Sequence, residues 1–336
     1  MPYASPRAPG ARTRERLGLT RPGVLSFALE STPHEPPEPG EVGIRVHAAG
    51  LNFTDVLTAM GLSDTFYDRV PPLGLECAGV VTGTGPGVRE VKAGDRVAAA
   101  VEDAFASEVN APASAVVPLP DQMDFAQGAT LPVAYLTAWY GLCHLARLRP
   151  GERVLVHSAA GGVGSAATTV AAFRGAELLA TAGTPEKRRH LSELGIRHVM
   201  DSRDGTFGQE TLRATGGEGV DVALNSLPGD AIRTGLELLR VRGRFVEIGK
   251  RDIMADAPLG MLPFQRGISM HSLDLRLLMT ECPELIGSLL GELAPLFASG
   301  ELAPLPCSPF PVEDAAAAFR RMSGGRHIGK IVLTFA

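Results

Sequence analysis

The sequence predicts an α/β chain: a doubly wound parallel sheet joined to a smaller β-rich part. Three observations carry this reading. From about residue 150 short apolar runs alternate with helix-length segments, which implies βαβ units and a parallel sheet. The first third instead offers short strands between glycine-rich corners, as in a small barrel or sandwich. A glycine-rich turn also follows the first run of the alternating part and opens a helix.

The elements follow in order. Residues 42–46 alternate apolar and polar side chains, as a half-buried strand does. Residues 83–88 form a turn cluster, and 94–97 a turn feeding a strand over 97–101. Residues 153–157 (RVLVH) read as a strand, 163–173 as a helix and 177–181 as the next strand. Pro185 suits the first position of a helix running to 194, and Gly195 its end. A strand from 199, a helix over 207–214, a strand over 221–225, a helix over 230–239 and a strand over 244–248 continue the rhythm. Leucine-rich 283–297 is helical. So is 312–321, with Glu313 and Asp314 in the first turn, where the helix dipole favours acids. Residues 328–335 close the chain as a strand.

A length of 336 residues suggests about two domains. With 45% apolar and 21% charged residues, a disordered chain is excluded. A net charge of −5 lacks the basic footprint of a nucleic-acid binder. Cys77, Cys143, Cys282 and Cys307 are widely spaced without a CxxC pair. That argues against a disulfide scaffold and a four-thiolate zinc lobe, and it fits a reducing, cytoplasmic setting. No run of about 18 apolar residues suggests a membrane span. Residues 1–16 place Arg7, Arg12, Arg14 and Arg16 among prolines and alanines without an apolar core. They read as a disordered tail or linker, with an organelle transit peptide as the alternative, and not as a secretory signal.

The turn runs Ser158-Ala159-Ala160-Gly161-Gly162-Val163-Gly164. Against the G-x-G-x-x-G dinucleotide fingerprint, Ala159 stands at the first position, and Gly161 and Gly164 at the other two. The middle glycine admits the pyrophosphate, and the last admits close packing of helix on strand. Free N–H groups at the helix start favour phosphate. An acid about 20 residues on would mark an NAD site. The second strand ends Ala180-Thr181-Ala182-Gly183-Thr184 without one, and Lys187 and Arg188 follow. These cations favour the 2′-phosphate of NADPH; the alternative is a solvated helix face.

Beyond the turn, the chain resembles the zinc-independent medium-chain dehydrogenases/reductases, and within them the enoyl reductase domain of modular polyketide synthases. The resemblance lies in residues 48–57 (AAGLNFTDVL), 72–80 (PLGLECAGV), 94–97 (GDRV), 157–164 (HSAAGGVG), 219–227 (GVDVALNSL), 243–250 (GRFVEIGK) and 326–332 (RHIGKIV). It implies a Rossmann domain over 123–275 that binds NADPH, and a GroES-like substrate domain over 17–122 plus 276–336, with the active site in the cleft between them. It also implies reduction of the 2,3 double bond of a 2-enoyl thioester on an acyl carrier protein, with neighbouring polyketide synthase domains as possible partners. Stand-alone protein and excised domain both stay open, as do acyl length, α-branching and oligomeric state. The alternatives are a stand-alone quinone or enone reductase, and a non-catalytic NADPH-binding scaffold.

The resemblance extends the cofactor site to Ser158, Ala159, Gly161, Gly162, Val163, Gly164, Thr181, Asn225, Ser226, Leu227, Ile248, Gly249, Gly329 and Lys330, beside Lys187 and Arg188. It makes Lys250 a proton donor or oxyanion stabiliser paired with Asp274; the alternative is a surface ion pair. Asn52 resembles a residue near the nicotinamide and substrate carbonyl; the alternative is a helix cap. A family tyrosine is replaced by Ser63, and Tyr67 is a candidate to supply the phenol from a shifted position, or else an ordinary loop aromatic. Asn52 and Leu75 stand where zinc-binding relatives carry cysteine and histidine, so no metal is expected. His157, Tyr135, Trp139 and Tyr140 read as packing residues.

Overall fold

The computed structural model describes residues 12–21, 23–62 and 70–336. Tyr67 and Ser63 lie outside the described residues, as does most of the expected N-terminal tail. The described chain divides into two compact units. One takes the residues up to Ala129 with Pro309–Gly325 and Ile331–Ala336; the other takes Thr130–Ser308 with Arg326–Lys330.

The first unit opens with β1 (Thr13–Leu19) and β2 (Phe27–Pro33), an antiparallel hairpin pairing Leu17 with Leu29. Residues 13–16, expected in the tail, are therefore strand. Arg14 and Arg16 both pair with Asp103, and buried Leu17 donates its N–H to Phe105 O at 2.8 Å. Then come β3 (Glu41–Leu51), β4 (Glu76–Thr84), β5 (Arg96–Ala100), β6 (Glu108–Pro112) and β7 (Val116–Pro118). Eleven-residue β3 is the spine: it pairs antiparallel with β4, setting Ala49 opposite Cys77, and with β6. Its alternate apolar residues Val42, Ile44 and Val46 are buried in one core with Val97, Phe105 and Val109.

The second unit holds β8 (Arg153–Val156), β9 (Glu177–Ala182), β10 (His198–Asp201), β11 (Val220–Asn225), β12 (Leu239–Glu247) and β13 (Ser269–Ser272). All pair in parallel, in the order β10-β9-β8-β11-β12-β13. This is the doubly wound dinucleotide-fold order, which reverses between β8 and β11. Helices Gly162–Phe173, Pro185–Glu193, Phe207–Ala214 and Asp230–Leu238 connect the strands. The apolar runs of β8 and β11 are buried because a parallel sheet is covered on both faces.

Two boundaries differ from expectation. Residues 276–308 belong to the second unit and not to the substrate domain. Helix Pro283–Ser299 packs on helix Pro132–Trp139: Phe297 meets Tyr135 edge-on at 5.2 Å, Tyr135 donates to Ala303 O at 2.6 Å, and Trp139 donates to Glu292 Oε2 at 2.7 Å. Residues 123–129 belong instead to the first unit. Phe125 stacks on His47 at 4.5 Å and lies under the Arg96 guanidinium at 4.9 Å. The first unit's sheet is completed by β14 (Cys307–Pro311) and β15 (Lys330–Thr334), which enter that unit at Pro309 and Ile331, in the sheet order β14-β15-β3-β4-β5-β7.

Candidate active site

The loop after β8 is shaped by two close approaches. Ser158 adopts φ +53°, the left-handed region that costs a non-glycine residue energy. The chain then turns back, with Gly161 N–H donating to Ser158 O at 2.9 Å, and enters helix Gly162–Phe173. A Cβ on Gly164 would lie 2.3 Å from Ser158 O and 2.7 Å from Ala159 Cα, so this position accepts only glycine. Ala159 needs no such freedom; it is buried and donates to Thr181 O at 2.9 Å. The first turn of the helix thus presents the N–H groups of Gly162, Val163 and Gly164, as a pyrophosphate site requires.

A distant segment braces this loop. Gly329 N–H donates to Ala160 O at 2.8 Å, and Gly329 bridges Gly161. Gly329 has φ +67°, and a Cβ there would meet Pro306 O at 1.8 Å. The buried Lys330 side chain runs beside Gly162, where an added Cβ would lie 2.7 Å from Lys330 Cδ. The sequence-predicted Ser158–Gly164, Gly329 and Lys330 are therefore assembled together.

The strand ends bring in the rest. Ser226 donates to Ser158 Oγ at 3.0 Å, joining the turn after β11 to the turn after β8. Asn225 and Leu227 close a local ring: Asn225 Nδ2 donates to Leu227 O at 2.8 Å and Leu227 N–H to Asn225 Oδ1 at 3.2 Å. Beyond β12, Ile248 N–H donates to Asn225 O at 2.9 Å, and Gly249 and Lys250 follow. Lys250 Nζ donates to Asp274 Oδ2 at 2.6 Å, and Asp274 also caps helix Leu275–Glu281 by accepting from Leu277 N–H. Both side chains are only partly exposed. The carboxylate so fixes the ammonium beside the strand ends, where doubly wound sheets bind ligands.

At the end of β9 the cations divide. Arg188 is engaged: its Nη1 donates to Ala182 O at 3.1 Å and to Asp201 Oδ2 at 2.5 Å. Lys187 is different. Burial, and then the Arg203 charge, hold its ammonium below the usual range. Arg203 lies over Gly183, whose added Cβ would be 2.6 Å from Arg203 Nε. Arg203 follows the third strand, β10, so the residues that end the second strand give no sign of it in the sequence.

Buried Thr181 shares a 2.9 Å hydrogen bond with His157 Nδ1. His157 is buried against the edge of Phe207, and burial pushes its imidazole down to about 3. It is a neutral packing residue, as expected. Tyr135 and Trp139 are buried as well.

In the first unit, Asn52 sits at the N-cap of helix Phe53–Ala59. Its Nδ2 donates to buried Glu76 Oε1 at 2.9 Å and to Gly50 O at 3.2 Å, while Asp55 accepts from Asn52 N–H at 2.8 Å. An amide nitrogen directed at a carboxylate and a hydrocarbon at Leu75 do not fit a zinc centre. Among the described residues no group of three or more His, Cys, Asp or Glu is placed to hold a metal.

Comparison with known proteins places these features. The family described as "Alcohol dehydrogenase GroES-like domain" matches residues 38–121, and that described as "Zinc-binding dehydrogenase" matches 194–333. The phthioceranic/hydroxyphthioceranic acid synthase of Mycobacterium tuberculosis is 46% identical over 321 residues; these cover 95% of this chain but 15% of that synthase. The crystal structure of CurK enoyl reductase is 40% identical, with a TM-score of 0.89, covering 96% of this chain and 99% of its own. A mycobacterial protein solved in complex with NADPH is 26% identical with a TM-score of 0.84, covering 96% and 100%. An α/β chain with a Rossmann-like parallel sheet and a GroES-like unit, matched in this way almost end to end, belongs to the polyketide enoyl reductases of the medium-chain dehydrogenase/reductase family.

Proposed function

We propose that the chain reduces the 2,3 double bond of a 2-enoyl thioester carried on an acyl carrier protein, at the expense of NADPH. The observation that carries this reading is the Lys250–Asp274 pair, held at 2.6 Å at the end of the sheet that also bears the glycine-rich turn. NADPH would be held by the first-turn N–H groups of helix Gly162–Phe173 and by Lys187 and Arg203 around its 2′-phosphate. The nicotinamide supplies hydride for Cβ of the substrate. Lys250 then opposes the negative charge that develops on the thioester oxygen, and it gives its proton to Cα. Asp274 keeps the ammonium aimed. One hydride and one proton saturate the bond.

The test is turnover. Purified protein should consume NADPH with crotonyl thioesters on a carrier protein, and much more slowly with naphthoquinones or small enones. The reverse order would favour a quinone or enone reductase. Tight NADPH binding without turnover on any enoyl thioester would favour a scaffold.

A further inference from the structure

Glu247 is the last residue of β12 and is 1% exposed. Two N–H donors converge on its carboxyl. Oε2 accepts from Asn225 Nδ2 at 2.5 Å, and Oε1 accepts from Gly249 N–H at 2.5 Å. Asn225 is itself buried, and its amide closes the ring on Leu227 described above. Ser226, inside that ring, donates to Ser158 of the glycine-rich turn. On the other side, Gly249 immediately precedes Lys250. The carboxyl also explains the glycine: a Cβ at 249 would lie 2.7 Å from Glu247 Oε1.

We propose that Glu247 is a positioning residue that clamps the turn 225–227 after β11 to the turn 248–250 after β12, presenting Ser226 and Lys250 to the cofactor and substrate as one rigid edge. The inference rests on the proposed function for what those turns hold. A carboxylate is the group that suits the place. It accepts from both donors, whereas the isosteric amide of glutamine accepts from one and sets its own NH₂ against the other. Burial of the charge is unfavourable: burial and the nearby Asp252 push the carboxyl up, while Asn225 and the amides of Gly249 and Ile248 oppose them. Glutamine would pack equally well without that charge, so packing alone does not call for the acid.

The test uses Glu247→Gln. Above about pH 7, where the carboxyl is ionised, and without cofactor, amide exchange at Leu227 and Gly249 should accelerate roughly tenfold or more, the loss expected for a hydrogen bond to a charged group. NADPH affinity, read by fluorescence titration, should weaken about tenfold on the same basis. In the Glu247→Gln background, Lys250→Ala should cost much less of kcat than it does in the wild type, because the lysine is already misplaced. Wild-type exchange and wild-type affinity in Glu247→Gln would overturn the clamp. If that variant fails to fold, Gly249→Ala replaces it: the new methyl presses on Oε1 with the acid retained, and unchanged exchange there would be equally fatal. A wild-type protein that binds NADPH but leaves enoyl thioesters unreduced would sink the proposed reaction, while exchange and affinity would still decide the clamp.

Discussion

Lys250 and Asp274 divide one task, and their variants should separate it. Lys250→Ala should lower kcat by roughly 10²–10⁴ and change KM little, because the contact strengthens only as charge develops. If water replaces the proton, the rate falls less and the configuration at Cα becomes mixed; unchanged kcat with unchanged configuration would remove Lys250 from the mechanism. Asp274→Asn should show a smaller loss in the same direction. At the phosphate end, Lys187→Ala and Arg203→Ala should each weaken NADPH by roughly ten- to a hundredfold and leave NADH nearly unaffected, as loss of a charge-assisted contact does. Arg188→Ala should matter less to the cofactor, since Asp201 already holds that guanidinium. Equal losses for the two cofactors would reject the assignment. Glu247 predicts a pH effect. Burial pushes its carboxyl up to about 7 from 4.5. The folded chain therefore holds this proton where the unfolded chain has released it, and stability falls as pH rises from about 4.5 to about 7. The total is roughly 3 kcal/mol. Glu247→Gln, which cannot ionise, should gain thermal stability relative to wild type across that window and no further above it.

The elements show which parts of the sequence speak for themselves. The strand at β8, the glycine-rich turn and helix Gly162–Phe173 were legible because a short apolar run, a turn and a longer apolar segment follow one another without outside help. Hairpin β1–β2 was not legible. Its arginines read as a tail, and only Asp103, far along the chain, makes them a strand. Helix Pro283–Ser299 was legible as a helix but not as part of the second unit, because Tyr135 and Trp139 decide its home. The same holds for the site: Gly164 announces itself, whereas Arg203 and Glu247 acquire meaning from partners on other strands. Gly164→Ala tests the element directly. A methyl 2.3 Å from Ser158 O must displace the turn. It should cost about 1–3 kcal/mol of stability, as overpacking does, and abolish measurable NADPH binding by titration. A variant that melts and binds as wild type would show the turn to be more yielding than its contacts indicate.

At the scale of the whole molecule, Asn52 and Leu75 are the positions expected to lack zinc ligands, and the Asn52 amide is directed at the Glu76 carboxyl. Dialysis against a chelator should therefore leave cofactor affinity and turnover unchanged; activity lost to chelator and restored by zinc would contradict this reading. The brace on the glycine-rich turn has a consequence for how the protein is made. Gly329 and Lys330 support residues 160–162, yet they leave the ribosome long after them. The very next residue, Ile331, enters the other unit, pairing with Leu51 of β3. A nascent chain stalled before residue 329 has every parallel strand in hand but an unbraced phosphate loop, and a first unit whose central strand still lacks a neighbour. The brace on the phosphate loop and the missing neighbour of the first unit's central strand thus arrive together, within two consecutive residues, Lys330 and Ile331.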